Sequence, residues 1–249
     1  MRPRTLAARL PLVAIGLGYL TAQRLGRTYG STPAERRRPM PGDNLVRRPQ
    51  IVSTHAATID APPAKVWPWL AQVGYHRGGW YTPRWVDVLF FPDNWPSADQ
   101  VIDQYQDVEV GDFIPDGPTH TGCGFLVRHV EENRSLVLQS TTHLPLTWRR
   151  RGKARVHWTW SFVLDPVNEG RSTRVTFRWR SSTRPWWLTA GAELFVVPAD
   201  LVMSRGMLRG LRKRAVQASV VGMPAQRTTP SETETLPVAP VSSLSGRRG

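Results

Sequence analysis

The sequence predicts an α+β domain in which a curved antiparallel sheet wraps one long carboxy-terminal helix, with a separate apolar helix at the amino terminus. Three observations predict this. "HWTWSFVL" (157–164) and "RVTFRWR" (174–180) alternate apolar and polar residues with the period of a strand. "PADLVMSRGMLRGLRKRAVQA", from Pro198, stacks Met203, Met207, Leu208, Leu211 and Ala215 on one helical face. Residues 10–22 form an uncharged, mainly apolar run with arginines on both sides. Strands first and one long helix last is an α+β order, not a βαβ order.

The strands follow from alternation. In 157–164, Trp158, Trp160, Phe162 and Leu164 share one face, and His157, Thr159 and Ser161 the other. In 174–180, Val175, Phe177 and Trp179 turn inward while Arg174, Thr176, Arg178 and Arg180 turn to a wet face. "DPVNEGRS" between them supplies turn residues, so the two form an antiparallel hairpin. "GFLVRHV" and "SLVLQS", joined by "EENR", form a second hairpin, with a strand at 110–114 before it and "STHAATI" as the first strand. Between "STHAATI" and the second strand, "TIDAPPAKVWPWLAQVG" turns abruptly into a helix. Its prolines suit a first turn whose N–H groups have no partner, Val66, Leu70 and Val73 recur at helical spacing, and Pro68 bends it.

The chain divides into four parts: an apolar anchor or signal-like helix (1–29), a linker (30–50), the folded domain (51–220) and a disordered tail (221–249). The linker is rich in proline and charge without apolar periodicity. The tail has too little large apolar surface to offset the entropy of ordering. The apolar run is short for a span of about 20 residues. It reads as a single-pass membrane anchor, with an uncleaved interfacial helix and a cleaved signal as alternatives. More positive charge follows it than precedes it, which places the domain on the cytoplasmic side of a membrane.

The net charge of +14 gathers at two edges: ten arginines against Glu35 and Asp43 in the first 50 residues, and "RGMLRGLRKRA" at 205–215. That fits an anionic membrane surface better than a nucleic-acid groove. The inward aromatics also leave no exposed stacking surface for bases. A single cysteine, Cys123, rules out an internal disulfide and multi-cysteine metal centres, and reads as buried and inert. The six histidines show no metal-ligand spacing, and no cofactor motif occurs.

Several phrases together resemble the START-like, polyketide cyclase/dehydrase superfamily (SRPBCC), in a branch with an amino-terminal apolar segment. They are "IDAPPAKVWPWLAQVG", "RGGWY" (77–81), "QDVEVGDFI" (106–114), the W-x-F-x-L-x-P of 160–166, "TRVTFRWR" and "MSRGMLRGLRKRA", preceded by "RPMPGDNLV". The resemblance covers about residues 39–216. It implies the helix-grip fold and a cavity between sheet and helix. It does not imply one activity, because the superfamily spans lipid carriers and cyclases. The chain departs from the branch in "TPRWVDVLFFPDNWPSAD", whose apolar character implies a greasier cavity mouth or a loop that touches membrane.

The expected ligand-binding residues are Trp80, Tyr81, Trp85, Phe125, His129, Trp158, Trp160, Phe177, Trp179 and Met207, an apolar wall with few polar tips. His129 points inward if the alternation from Phe125 and Val127 continues. These residues lack a convergent acid–base set, so no catalytic residue is assigned. The reading is non-catalytic binding of an apolar or amphipathic small molecule, lipid or polyketide-like, near a membrane. The alternative is a cyclase or dehydratase in which a residue such as His129 moves a proton.

Overall fold

A computed structural model describes residues 3–90, 93 and 96–220. The tail from 221 onward lies outside the described residues. Six strands form one antiparallel sheet in the order β1-β6-β5-β4-β3-β2. They are β1 (Ile51–Ile59), β2 (Phe113–Pro115), β3 (Gly124–Glu131), β4 (Ser135–Ser140), β5 (Arg155–Val167) and β6 (Ser172–Arg184). The helices are α1 (Pro3–Thr28), α2 (Pro33–Arg37), α3 (Pro63–Ala71), α4 (Arg84–Phe90), α5 (Leu146–Arg150), α6 (Trp186–Gly191) and α7 (Val197–Val220). This is the helix-grip arrangement: the sheet curls about α7, and α3 closes the layer beside it.

Register decides which side chains make the core. Leu138, Trp160 and Trp179 pair across neighbouring strands, as do Leu136, Phe162 and Phe177, and all of them face α3 and α7. Met207, Leu208, Leu211 and Ala215 of α7 complete that core. Gly206 and Gly210 are where the helix is approached most closely. A Cβ on Gly210 would lie 2.4 Å from the Tyr81 carbonyl oxygen, and one on Gly206 would lie 2.3 Å from the Pro83 ring.

The opposite face of the sheet is covered, contrary to the wet face that alternation predicts. Residues 30–50, expected as a linker, run across it as a strap. Thr32 and Glu35 form a capping box that starts α2. Arg178, only 3% exposed, spends its donors on the Asp43 carboxylate, on the carbonyls of Glu35, Arg36 and Arg38, and on Thr54 Oγ1. Arg174 pairs with Glu35, Ser161 donates to the Pro41 carbonyl, and Met40 and Val46 are buried. Strand periodicity cannot reveal this cover, because a guanidinium reads as solvent-facing until carbonyls from elsewhere in the chain surround it.

The last helix also begins earlier than Pro198 suggests. α6 starts at Trp186 and runs through a single π-helical turn, residues 192–196, into α7. In that turn the Val197 N–H reaches back to the Ala192 carbonyl, and Pro198 has no N–H to offer Leu194. The Glu193 and Leu194 carbonyls are thereby left for other donors. Gln23 of α1 donates to the first, and Tyr19 Oη donates to the second at 3.0 Å. Arg27 completes the stripe with an ion pair to the Glu193 carboxylate.

Candidate functional site

The aromatic residues expected to wall a cavity instead meet one another. Trp80 lies 5.1 Å from Trp160 and 6.0 Å from Phe125 between ring centroids, both edge-on. Trp160 is 4.9 Å from Phe125 and 5.4 Å from Phe177, and Trp158 is 6.0 Å from Trp179. Such edge-to-face networks are the favoured packing of large rings. Tyr81 and Met207 are core residues beside them. The Tyr81 hydroxyl donates to the Trp69 carbonyl, Arg214 covers its ring, and burial pushes that hydroxyl's pKa up. Beneath α7 these rings therefore lie in contact with one another.

Two further residues are placed elsewhere than expected. Trp85, on α4, is 58% exposed and walls no interior. His129 lies beyond a β-bulge between Val127 and His129, which inserts one residue into β3. The slip puts His129 opposite Val137, on the strap side, where it meets Ser135 Oγ at 2.8 Å. A one-residue register change moves a side chain to the other face of a sheet.

A different histidine reaches a pocket. The β2–β3 connection and the segment after β4 lie at the same end of the sheet, as alternate connections of an antiparallel meander must. Between them opens a recess of about 550 Å³ lined by Asp116, Cys123 and His143, with Pro118, Leu144 and Leu146 among its apolar walls. Local bonds hold the two segments together. Thr142 Oγ1 accepts from the Gly124 N–H and donates to its carbonyl, and Asp116 N–H donates to the Cys123 carbonyl. Arg149 donates to the carbonyls of Leu144 and Thr121.

His143 sits against Phe125 and Trp158, at 4.6 and 4.7 Å between centroids. Its Nδ1 lies 2.6 Å from Ser140 Oγ and its Nε2 lies 2.7 Å from Asp116 Oδ2. Burial works against a charge on this ring. Hydrogen bonds and charge from Asp116 and Cys123 outweigh it, so the pKa is pushed up to about 9. At neutral pH the ring is therefore an imidazolium that donates to Ser140 and Asp116. Asp116 Oδ1 is buried and has no partner among the described residues, so the recess lining retains an unpaired acceptor.

Asp116, Cys123 and His143 escape sequence reading because no motif joins them. Asp116 and His143 are 27 residues apart, in two unrelated loops, "PDGPTHTGC" and "TTHLP". The legible signal is topological: once the strands are ordered, both loops must fall at one end of the sheet.

A second acidic centre lies inside the core. Asp200 of α7 accepts from Trp179 Nε1 at 2.7 Å and from Ser204 Oγ at 2.8 Å, and pairs with His55 Nε2 at 2.7 Å. These bonds fix α7 across β1 and β6. None of these residues lines the recess.

No family model matches the chain, and no curated protein matches it. Solved structures with similar arrangements include a Mesorhizobium loti protein (15% identity, TM-score 0.38, covering 67% of this chain and 98% of that one). A hypothetical protein from Helicobacter pylori is similar at 11% identity and a TM-score of 0.44, over 71% of this chain and 95% of that one. Norcoclaurine synthase from Thalictrum flavum, solved with dopamine and hydroxybenzaldehyde, shares 12% identity at a TM-score of 0.38, over 67% of this chain and 87% of that one. Likenesses this distant carry no argument about what this chain binds or does.

Proposed function

We propose that the protein is a membrane-held binding domain that takes an amphipathic small molecule, lipid or polyketide-like, in the recess at the end of its sheet, without covalent chemistry. The observation that carries this reading is the recess itself: about 550 Å³, with an apolar wall and a buried His143–Asp116 pair on its lining. The apolar body of a ligand fits against Pro118, Leu144 and Leu146, and a hydroxyl or amide on its head fits the unpaired oxygen of Asp116. This places the ligand at the sheet end instead of under α7. Native mass spectrometry of full-length protein released from membranes in mild detergent tests it. The expected result is a bound species that His143→Phe and Asp116→Asn each reduce about tenfold. Bare protein, or a bound species indifferent to both changes, overturns it.

One observation favours a second reading, an enzyme of the cyclase or dehydratase kind. An imidazolium beside a carboxylate and a thiol can move a proton, and His143 takes the part assigned from sequence to His129. Against a role as base, both ring nitrogens are engaged and a pKa near 9 is high for accepting a proton at neutral pH. Turnover of a polyketide-like substrate that vanishes in His143→Phe while binding persists would establish the enzyme.

A further inference from the structure

Past the crossing of α1 with α7, two helical segments leave the core. Gly26 marks the crossing: a Cβ there would lie 2.0 Å from the Val197 carbonyl oxygen. Before it in sequence, every residue from 14 to 21 is exposed, including Ile15, Leu17 and Leu20. Before Val197, nothing between 184 and 196 is buried, and Trp186 is 77% exposed and Phe195 72%. The stretch Trp186–Ala218 is long and apolar enough to cross a membrane by composition. Its second half nevertheless grips the sheet through Met207, Leu208, Leu211 and Ala215. Residues 186–196 contribute no buried side chain and touch the core through Ala192; they make about 16 Å of helix, or half of a bilayer's apolar thickness.

Three polar side chains of α1 are spent between the helices. Tyr19, Gln23 and Arg27 occupy the Leu194 and Glu193 carbonyls and the Glu193 carboxylate. Glu193 is the only acid between 166 and 199 apart from Glu169 in the β5–β6 turn, and its charge is matched. Polar side chains between helices with an apolar exterior are the pattern of helices packed in lipid.

Charge points to the kind of lipid. Trp187 meets Trp148 of α5 edge-on at 5.4 Å between centroids. Around this aromatic group lie Arg150, Arg151, Lys153, Arg155 and Arg184, all exposed, and residues 146–155 contain no acid. A second recess, about 620 Å³, is lined by Lys153, Arg155, Arg184 and Trp186. Tryptophans amid basic side chains suit the headgroup level of an anionic bilayer.

We propose that this end of the molecule docks on an anionic lipid bilayer: α1 enters it, residues 186–196 lie in the near leaflet, and the basic groups around Trp148 and Trp186 meet the headgroups. α5 supplies both Leu146 to the ligand recess and Trp148 to the docking group, so the recess opens beside the lipid. The inference shares the membrane placement of the functional reading, but its test reads lipid contact at Trp186 and not ligand in the recess, so the two fail separately.

Full-length protein carrying Cys123→Ser and Trp186→Cys, labelled with an environment-sensitive fluorophore, is reconstituted in vesicles of phosphatidylcholine with phosphatidylglycerol. The same label at Glu169→Cys, in the turn at the far end of β5 and β6, is the control. Quenching by spin-labelled lipid at position 186, at least fivefold above the control, is expected, together with shielding from aqueous iodide. A drop of threefold or more in lipid quenching is expected when phosphatidylglycerol is omitted. Iodide quenching equal to the control overturns the proposal, because the surface is then free. Shielding from both quenchers overturns it in favour of a second copy of the chain, and lipid quenching indifferent to phosphatidylglycerol overturns the anionic assignment.

Discussion

His143 holds its proton because two acceptors, Ser140 Oγ and Asp116 Oδ2, require both of its N–H groups. Its pKa is raised from the ordinary value to about 9. Its contribution to stability is therefore full below the unfolded value, near 6.5, and is lost as pH rises through 9. A thermal melt series from pH 6 to 10 should show a falling Tm for the wild type and a flatter profile for Asp116→Asn. The His143 ring in that variant should titrate at lower pH by NMR. Glu35 behaves oppositely. Its hydrogen bond to Arg174 leads the causes that hold its carboxyl down at about 2, so its contribution is present above about 4.5 and fades as pH falls toward 2. Glu35→Gln should cost about 1–3 kcal/mol at pH 7 by urea denaturation, with the difference from wild type shrinking in acid. His129 supplies a contrast. Alternation placed it inward and a bulge turned it out, so His129→Ala should leave ligand occupancy unchanged while His143→Phe lowers it. The sequence contains both histidines. Only the register of β3 and the meeting of two loops decide which one reaches a pocket.

Glycines mark where elements touch. A methyl group on Gly210 would press into the Tyr81 carbonyl oxygen, with backbone on the far side that cannot yield. Gly210→Ala should lower stability by about 1–3 kcal/mol, measured by chemical denaturation. Gly16 has nothing within 4 Å, and Gly16→Ala should be neutral or slightly favourable for α1. At Gly26 the comparable change should lift α1 from α7. Hydrogen exchange would then speed up at the amides of residues 19–27 while α7 beyond Val197 keeps its protection. A proline reads as a helix start, so the sequence conceals the helix preceding Pro198. The structure accommodates it with a π turn, whose freed carbonyls are taken by α1 side chains.

At the scale of the whole molecule, the sheet is a middle layer. The grip helix covers one side and residues 30–50 cover the other. Arg178 is the pin of the outer layer, because its guanidinium gathers three strap carbonyls and Asp43 in a place closed to water. Arg178→Ala should cost about 3–5 kcal/mol through the acceptors left unpaired. It should also open the strap to trypsin after Arg36 and Arg37, read as new cleavage sites by mass spectrometry. The same layering puts the ligand recess, the basic recess and the exposed tryptophans at one end of the sheet, where the strand ends and their connections meet.

The sequence by itself determined the strands, the gripping helix and the aromatic core, because alternation and helical spacing record burial residue by residue along a local stretch. It also marked residues 10–22 as apolar. Tertiary structure alone decided that the core rings meet one another, that His143 and not His129 meets a carboxylate, that the linker is a strap, and that residues 186–196 bury no side chain. The physical reason is range. Arg178 and Asp43 are 135 residues apart, and Tyr19 and Leu194 are 175 apart. A polar group shows no periodicity that reports its partner until the fold brings the two together.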